Sequence, residues 1–493
     1  MGPAEPSFIA RLFGTGRFLP WFLLALALRG ALFAVFLPEH GMRNGYWGLA
    51  ADTGDSGTYF AAMDYYLDGP GYTPDLRMPG YGLPYLFFRL FTDPKGAAAV
   101  IIVLQLILGA MSVVWLKRCA HLLGASSRAQ AILFLAFALY GPIAVWDVYV
   151  MTESFFISAS IGGVLLLLKH RHAPTLRTVI LVGAVFAWAF FMRPVYLVWF
   201  PVIMILAAAP YTGSKRWLAA LLVPVPFLLA DIPWTLRNWK VHHAFHPLTN
   251  GYLDPQVENG IYWPPSRLLQ ATGGRYTFWD PNAEIRWFRV PDWGHFDRLH
   301  LSYDSTAVGP WATSAHYPMD SLRAIRTAMD HWWAAPDTGN ARDSIRQRIN
   351  AQVDRHIVDY RATRPFQYQV MSRIRHLRHF LWHRGVLTVF RDWEHALSPL
   401  QRTLEWTFTA LYGLIATSGC LSVIVILLRW RHSGTSLRMV ALLALIATTL
   451  FPLVLRFQEA RYLLPAIPWL LLCATIVIDE GLRTARARAL RSS

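Results

Sequence analysis

Charge is what this chain has least of. Asp, Glu, Lys and Arg together make up 15% of its 493 residues, where a soluble domain carries about a quarter. So little charge leaves too little polar surface for an ordinary water-soluble enzyme of this length. Cysteine is scarcer still. Cys119, Cys420 and Cys473 fall in or beside apolar runs, which argues against a disulfide framework. The Walker loop, the Rossmann fingerprint and metal-ligand spacing are missing, as are internal repeats and low-complexity tracts. Without a nucleotide motif, transport driven by ATP is disfavoured. The first apolar run also lacks a small-residue cleavage site after it, and is expected to be a retained helix rather than a removed signal peptide.

What the chain has in abundance is hydrophobic length. Hydrophobic residues make up 54% of it, and they are bunched. "AAAVIIVLQLILGAMSVVWL" (97–116) runs without a charge, long enough as a helix to cross about 30 Å of hydrocarbon. Comparable runs lie at 18–37, 129–146, 148–168, 178–191, 195–210, 217–236, 404–428, 437–455 and 463–479. Lipid tolerates no unpaired backbone group, so all are predicted helical. The expectation is an all-α polytopic membrane protein with about ten or more spans.

The net charge of +16 suggests nucleic acid until its placement is read. Arg11 and Arg17, Lys117 and Arg118, Arg128, Lys169 and Arg171, Arg177, Lys215 and Arg216, and Arg429 and Arg431 all lie in short connections, and Arg483 to Arg491 in the tail. Threading ten spans from an inside N-terminus puts every one of these on the cytoplasmic face, as the positive-inside rule requires. Both termini are then cytoplasmic, membrane lipids are the partner of this charge, and no nucleic acid is expected.

That threading divides the chain in three. Residues 1–237 form a transmembrane module that includes a first outer loop, 38–96. Residues 238–402 form a long outer loop, and 403–493 the C-terminal transmembrane helices. The long loop is too aromatic for a disordered linker, with stretches such as "RYTFWDPNAEIRWF". A mixed extracytoplasmic domain or a set of juxtamembrane surface helices is expected there. Its end, through "SRIRHLRHFLWHRG", reads as a basic amphipathic helix lying on anionic headgroups.

Polar residues suited to chemistry map to the outer junctions. Asp55 and Tyr59 are spaced i, i+4, one face of a helix, and Asp55 also stands where a helix N-cap is expected. Arg77 and Tyr81 flank a Pro-Gly turn. Asp147 and Glu153 lie between the third and fourth spans, and Arg193 ends the fifth. Asp231, Arg237 and Asn238 end the seventh, and Glu459, Arg461 and Tyr462 join the last two. Arg29, inside the first span, is expected to snorkel or to pair with an outer carboxylate. His242, His243 and His246 lack a supporting carboxylate pattern and read as loop histidines rather than metal ligands.

Taken in order, these residues carry a resemblance. D-x-x-x-Y (Asp55, Tyr59), R-x-P-G-Y (Arg77, Tyr81), T-E (Thr152, Glu153), R-P (Arg193, Pro194), P-W-T-x-R-N (Pro233 to Asn238) and E-x-R-Y-x-x-P (Glu459, Arg461, Tyr462, Pro465) together resemble the GT-C glycosyltransferases. They are most similar to the glycosyltransferase 39 superfamily of protein O-mannosyltransferases and bacterial lipid A sugar transferases. Each motif is short, and residues 255–400 match no part of the pattern. Where the O-mannosyltransferase branch has an Asp-Glu pair, Asp55 is followed by Ser56, which favours the bacterial lipid or glycan branch.

The resemblance implies a GT-C helix bundle in a bacterial inner membrane with its active site on the periplasmic face. It implies transfer of a sugar from a polyprenyl-phosphate donor to a lipid, glycan or protein acceptor by one inverting displacement. Asp55 would be the general base. Arg77, Arg237 and Arg461 would hold the donor phosphate, with Tyr59, Tyr81, Asp147, Glu153, Arg193, Asn238, Glu459 and Tyr462 in support. No metal ligand is assigned, and the need for a divalent metal stays open. So does the sugar, whether aminoarabinose, galacturonic acid, mannose or arabinose. The alternative is a transporter or flippase for a lipid-linked sugar, which predicts polar groups at mid-membrane depth and broken helices.

Overall fold

The computed structural model describes residues 18–40, 49–51, 56–68, 77–243, 245–248, 260–275, 287–288, 308–336, 340–381 and 398–492. Among them every regular element is helical, apart from an isolated parallel bridge between Ala51 and Tyr149. Asp55 lies outside the described residues. The helix that follows it begins at Ser56, where a cap at Asp55 would start it.

The bundle opens with α1 (Leu19–His40), α2 (Ser56–Asp68) and α3 (Gly82–Arg89). Next come α4 (Pro94–Leu122), α5 (Ser127–Ala138), α6 (Gly141–Ala144), α7 (Thr152–His172) and α8 (Leu176–Met192). Then α9 (Phe200–Ala208), α10 (Gly213–Leu222) and α11 (Val225–His242) complete the N-terminal half. Starts are chemically marked. Asp93 accepts the Gly96 amide at 2.8 Å ahead of Pro94, and Ser126 accepts the Ala129 amide at 3.3 Å, each satisfying a donor that the first turn leaves open.

Among the described residues, seven helical segments are long and apolar enough to cross a membrane. An eighth is counted if α5 and the Gly141–Asp147 segment, bent by 52°, form one span. The two remaining runs of the ten expected are the shorter helices Leu176–Met192 and Pro194–Ala208. All ten runs are helical, but length does not qualify each as a crossing. Much of the apolar surface of Gly213–Lys240 faces outward, with Leu221, Leu229 and Leu236 more than 60% exposed while Ala219, Val223 and Phe227 are buried, as expected of a helix with one lipid-facing side.

Contacts fix the two ends of the bundle. Lys117 Nζ lies 4.2 Å from the Trp21 ring centroid, and the Arg118 guanidinium lies 5.1 Å from Phe18, so α1 and α4 run antiparallel. At this same end the Ser126 hydroxyl donates to Asp479 at 2.6 Å, and Arg483 pairs with Asp479 at 3.3 Å. Tyr81, Glu153, Arg193 and Tyr462 lie at the far end of the helices they adjoin. Between the ends, Arg29 pairs with Asp147 at 3.3 Å, both almost wholly buried. The Ser154 hydroxyl donates to that carboxylate at 2.6 Å. Gly109 leaves it room, since a Cβ there would lie 2.8 Å from Asp147 Oδ2.

A second, smaller core belongs to the segment expected to be mixed. Its described regular elements are helical, the principal ones being α12 (Trp263–Thr272), α13 (Met319–Ala334), α14 (Asn340–Thr363) and α15 (Ser372–Leu381). Leu268, Leu269, Leu322, Ile325, Ile349 and Val353 are fully buried between them. The bundle closes with α16 (Pro399–Leu428), α17 (Thr435–Thr449) and α18 (Ile467–Ser492), and α18 packs on both α16 and α17.

This helical lobe carries a pH liability. Burial pushes the imidazoles of His356 and His376 down from 6.5 to about 4. His356 stacks on Tyr317 at 5.0 Å, and His376 Nε2 sits 2.8 Å from the Gln270 carbonyl. The depressed value means that the unfolded chain binds protons that the fold refuses. Stability is therefore complete above about 6.5 and is lost as pH falls towards 4, each group adding a slope approaching about 1.4 kcal/mol per pH unit. The melting temperature of the purified protein is expected to fall between pH 7 and pH 5, and less steeply in His376→Gln. An identical pH dependence in the two proteins would contradict this.

Candidate active site

The site is built around the first turn of α7. Glu153, fully buried, pairs with the Arg193 guanidinium, whose Nε donates to Thr152 Oγ1 at 3.0 Å. Arg193 stands at the break between α8 and the following 3-10 turn, so a single residue ties together the starts and ends of two helices. Its guanidinium also lies 5.4 Å from the Tyr462 ring centroid. Tyr462 is in turn covered by Phe451 at 4.6 Å and Phe457 at 4.9 Å.

Beyond Tyr462 the guanidinium of Arg461 pairs with Glu459 at 2.6 Å, and Arg461 Nη2 donates to the Tyr462 hydroxyl at 3.4 Å. On the other side of α7, Arg77 Nε donates to Thr58 Oγ1 at 3.1 Å and its guanidinium lies 4.8 Å from the Tyr59 ring. Tyr59 packs on Tyr81 at 5.2 Å, and Tyr81 on Phe155 at 5.5 Å. Joined through Phe155 and the first turn of α7, Arg77, Tyr59, Tyr81, Glu153, Arg193, Glu459, Arg461 and Tyr462 form one connected group, although its first and last members lie more than 400 residues apart in sequence.

Exposure separates the roles of the arginines. Arg193 is 8% exposed over a partner that is fully buried, whereas the Arg461 and Glu459 side chains are 13% and 21% exposed. The first pair is a structural pin inside the protein. The second pair is partly exposed, although Arg461 Nε and Glu459 Oε2 are themselves covered.

Two glycine-turn features hold the Arg77 side in place. The Gly80 carbonyl accepts the Trp188 indole at 3.0 Å, and a Cβ on Gly80 would lie 2.5 Å from the Phe191 backbone carbon. A side chain there forces the turn away from α8. Gly80→Ala is expected to cost about 1–3 kcal/mol by overpacking, read as a lower melting temperature. An unchanged value would refute the close approach.

Other expected residues fall elsewhere. Asp147 sits deeper, on Arg29: the partner of Arg29 is a carboxylate buried inside the bundle rather than an outer one, and Asp147 is not at a span end. Its backbone still reaches the site, because the Tyr81 hydroxyl donates to Gln105 Oε1 at 2.7 Å. Gln105 Nε2 lies 3.2 Å from the Asp147 carbonyl and 2.9 Å from that of Tyr149. Arg237 and Asn238 form their own local group at the end of α11. Arg237 Nη1 donates to Asn238 Oδ1 at 2.8 Å over the Trp234 ring, and Asn238 Nδ2 donates to the His246 carbonyl at 2.9 Å. Asp231 accepts from Thr235 at 3.4 Å, one turn along the same helix. The two residues flanking the undescribed 52–55 stretch are both anchored beside α7. The Ala51 amide donates to the Val148 carbonyl at 3.0 Å, and the Ser56 hydroxyl to the Val150 carbonyl at 3.1 Å.

Gln105 and Thr58 were not singled out from the sequence. Gln105 had a signal: it is a large polar side chain in the middle of a span, where a polar group without a partner is costly. Among the described residues no three His, Cys, Asp or Glu side chains come together as a metal site. Comparison with family models, with curated proteins and with solved structures finds no match for this chain.

Proposed function

We propose that this chain is an integral membrane glycosyltransferase of the GT-C type, working on a polyprenyl-phosphate sugar at the extracytoplasmic face of a bacterial inner membrane. The observation that carries this is the convergence of Arg77, Arg193 and Arg461 with three tyrosines and two glutamates at the end of the bundle away from Lys117, Arg118 and Arg483. The basic end suits the cytoplasmic leaflet, which leaves the arginine-tyrosine end facing outward.

In the reaction an acceptor hydroxyl attacks the anomeric carbon from the side opposite the phosphate. The new carbon–oxygen bond forms as the bond to the phosphate oxygen breaks, inverting the centre. The hydroxyl proton goes to the Asp55 carboxylate acting as general base, and polyprenyl phosphate departs with the bonding electrons. Arg461 and Arg77 stabilise the charge that gathers on it. Glu459 orients Arg461, and Glu153 holds Arg193 beneath the Tyr462 ring. The Tyr59 ring supports the Arg77 guanidinium, and Tyr81 backs Tyr59 from inside the protein.

Protein purified in detergent and given polyprenyl-phosphate sugars with an extract of envelope lipids is expected to release polyprenyl phosphate. Absence of release with every such donor would remove the proposal. A second reading, movement of a lipid-linked sugar across the bilayer, is favoured by the buried Arg29–Asp147 pair beside the 52° bend. It predicts that proteoliposomes translocate the donor without consuming it.

A further inference from the structure

The helical lobe grips the chain immediately before Glu459. Gln270 Nε2 donates to the Leu455 carbonyl at 3.2 Å, and Arg373 Nε to the Leu453 carbonyl at 2.8 Å. In the other direction Arg456 reaches into the lobe, donating to the Ala271 carbonyl at 3.4 Å and the Tyr368 carbonyl at 3.1 Å, with its guanidinium 3.8 Å from the Tyr368 ring. Gln458 Nε2 donates to the Gly274 carbonyl at 2.8 Å, and its Oε1 sits 3.4 Å from His376 Nδ1. Both Arg456 and Gln458 are buried.

The backbone shows that this grip is imposed. Arg456 has a φ of 54°, a left-handed conformation unfavourable for any residue with a Cβ. It sits where a π-helical turn, Leu450–Leu455, ends and a 3-10 turn, Ala460–Ala466, is about to begin. The intervening residues therefore have no helix to hold them. Their registration comes from the lobe, and three residues later the same segment delivers Glu459, Arg461 and Tyr462 to the site.

We infer that Arg456 and Gln458 are positioning residues: by fastening the 453–458 segment to the helical lobe they fix Glu459 to Tyr462 and so aim the Arg461 guanidinium. That Arg461 is aimed at a donor phosphate rests on the transferase reading; that the segment is fastened does not. The lobe thereby gains a mechanical path to the reaction centre, since anything that moves α12 or α15 moves the segment bearing Arg461. A displacement of about 1 Å in a reacting arrangement is enough to change a rate about 10²-fold.

Arg456→Gly separates this role from backbone strain, because glycine accepts the left-handed conformation freely while the two carbonyl contacts are lost. Gln458→Leu removes the second fastening at similar volume. Hydrogen exchange on full-length protein in detergent reads the result without any substrate. The Phe457 amide bonds to the Phe451 carbonyl and the Tyr462 amide to the Glu459 carbonyl, so peptides spanning 457–462 start out protected. In both variants their exchange is expected to accelerate at least about tenfold, with peptides of α4 and α7 unchanged and Arg456→Lys partly restored. Unaltered exchange at 457–462 in both variants overturns the inference, and so does acceleration spread evenly over the whole protein. Where the wild type turns over donor, the variants are expected to raise its KM about tenfold or more with a smaller change in melting temperature. A raised exchange with an unchanged KM overturns the aiming role. A wild type that transfers no sugar counts against the transferase reading, and the exchange result still decides the fastening.

Discussion

Arg193→Ala is expected to destabilise the protein by about 3–5 kcal/mol, the usual consequence of removing one partner from a buried ion pair. Glu153 is fully buried and its carboxylate faces Arg193. Without the guanidinium an uncompensated charge is left inside the bundle, and Thr152 Oγ1 and the Tyr462 ring lose their common neighbour. The second variant needed is Arg193→Met combined with Glu153→Gln, which removes both charges. Residues in direct contact are not additive, so the double variant is expected to recover a large part of the loss seen in Arg193→Ala. Melting temperatures in one detergent provide the comparison. A double variant as unstable as the sum of the two single changes would show that the pair is not coupled.

Asp55→Asn is expected to slow sugar transfer by about 10²–10⁴-fold, the contribution typical of a positioned general base, in a protein that folds normally. Asparagine caps a helix about as well as aspartate, so the start of α2 at Ser56 is preserved while the proposed proton acceptor is lost. The expected signature is unchanged thermal stability and unchanged donor affinity with a collapsed turnover number. Full activity in this variant would leave Asp55 with capping as its role. Loss of activity together with loss of fold would have the same meaning, since the asparagine would then have failed as a cap.

What the sequence revealed depended on the range of the physics involved. Helix positions were readable because lipid forces every apolar run of sufficient length into the same conformation, and all ten runs are helical. Whether each crosses was less readable. Leu176–Met192 and Pro194–Ala208 are short, and Pro194 and Pro201 interrupt a stretch whose hydrophobicity alone looked continuous. Much of the site group was legible for a different reason: charged groups at span ends are rare enough to notice. Which of them meet was not legible. Asp147 and Glu153 lie six residues apart, yet one pairs with Arg29 inside the bundle and the other with Arg193 at its end, because residues 148–151, between the 3-10 turn Val145–Asp147 and α7, are not helical. The lobe was the least legible part. Its fastening to 453–458 consists mostly of side chains bonding to backbone carbonyls, and such contacts leave no pattern in residue types.

The central claim is that the arginines brought together beside α7 form a phosphate-lipid site. Equilibrium binding of a polyprenyl phosphate to protein purified in detergent tests it most directly, comparing wild type with Arg77→Ala, Arg461→Ala and a control at the opposite end, Arg488→Ala. The account predicts saturable binding that weakens at least about tenfold in each of the first two, the cost of one charge-assisted contact, and stays unchanged in the control. Equal affinity in all four proteins, or equal loss in the control, would contradict it.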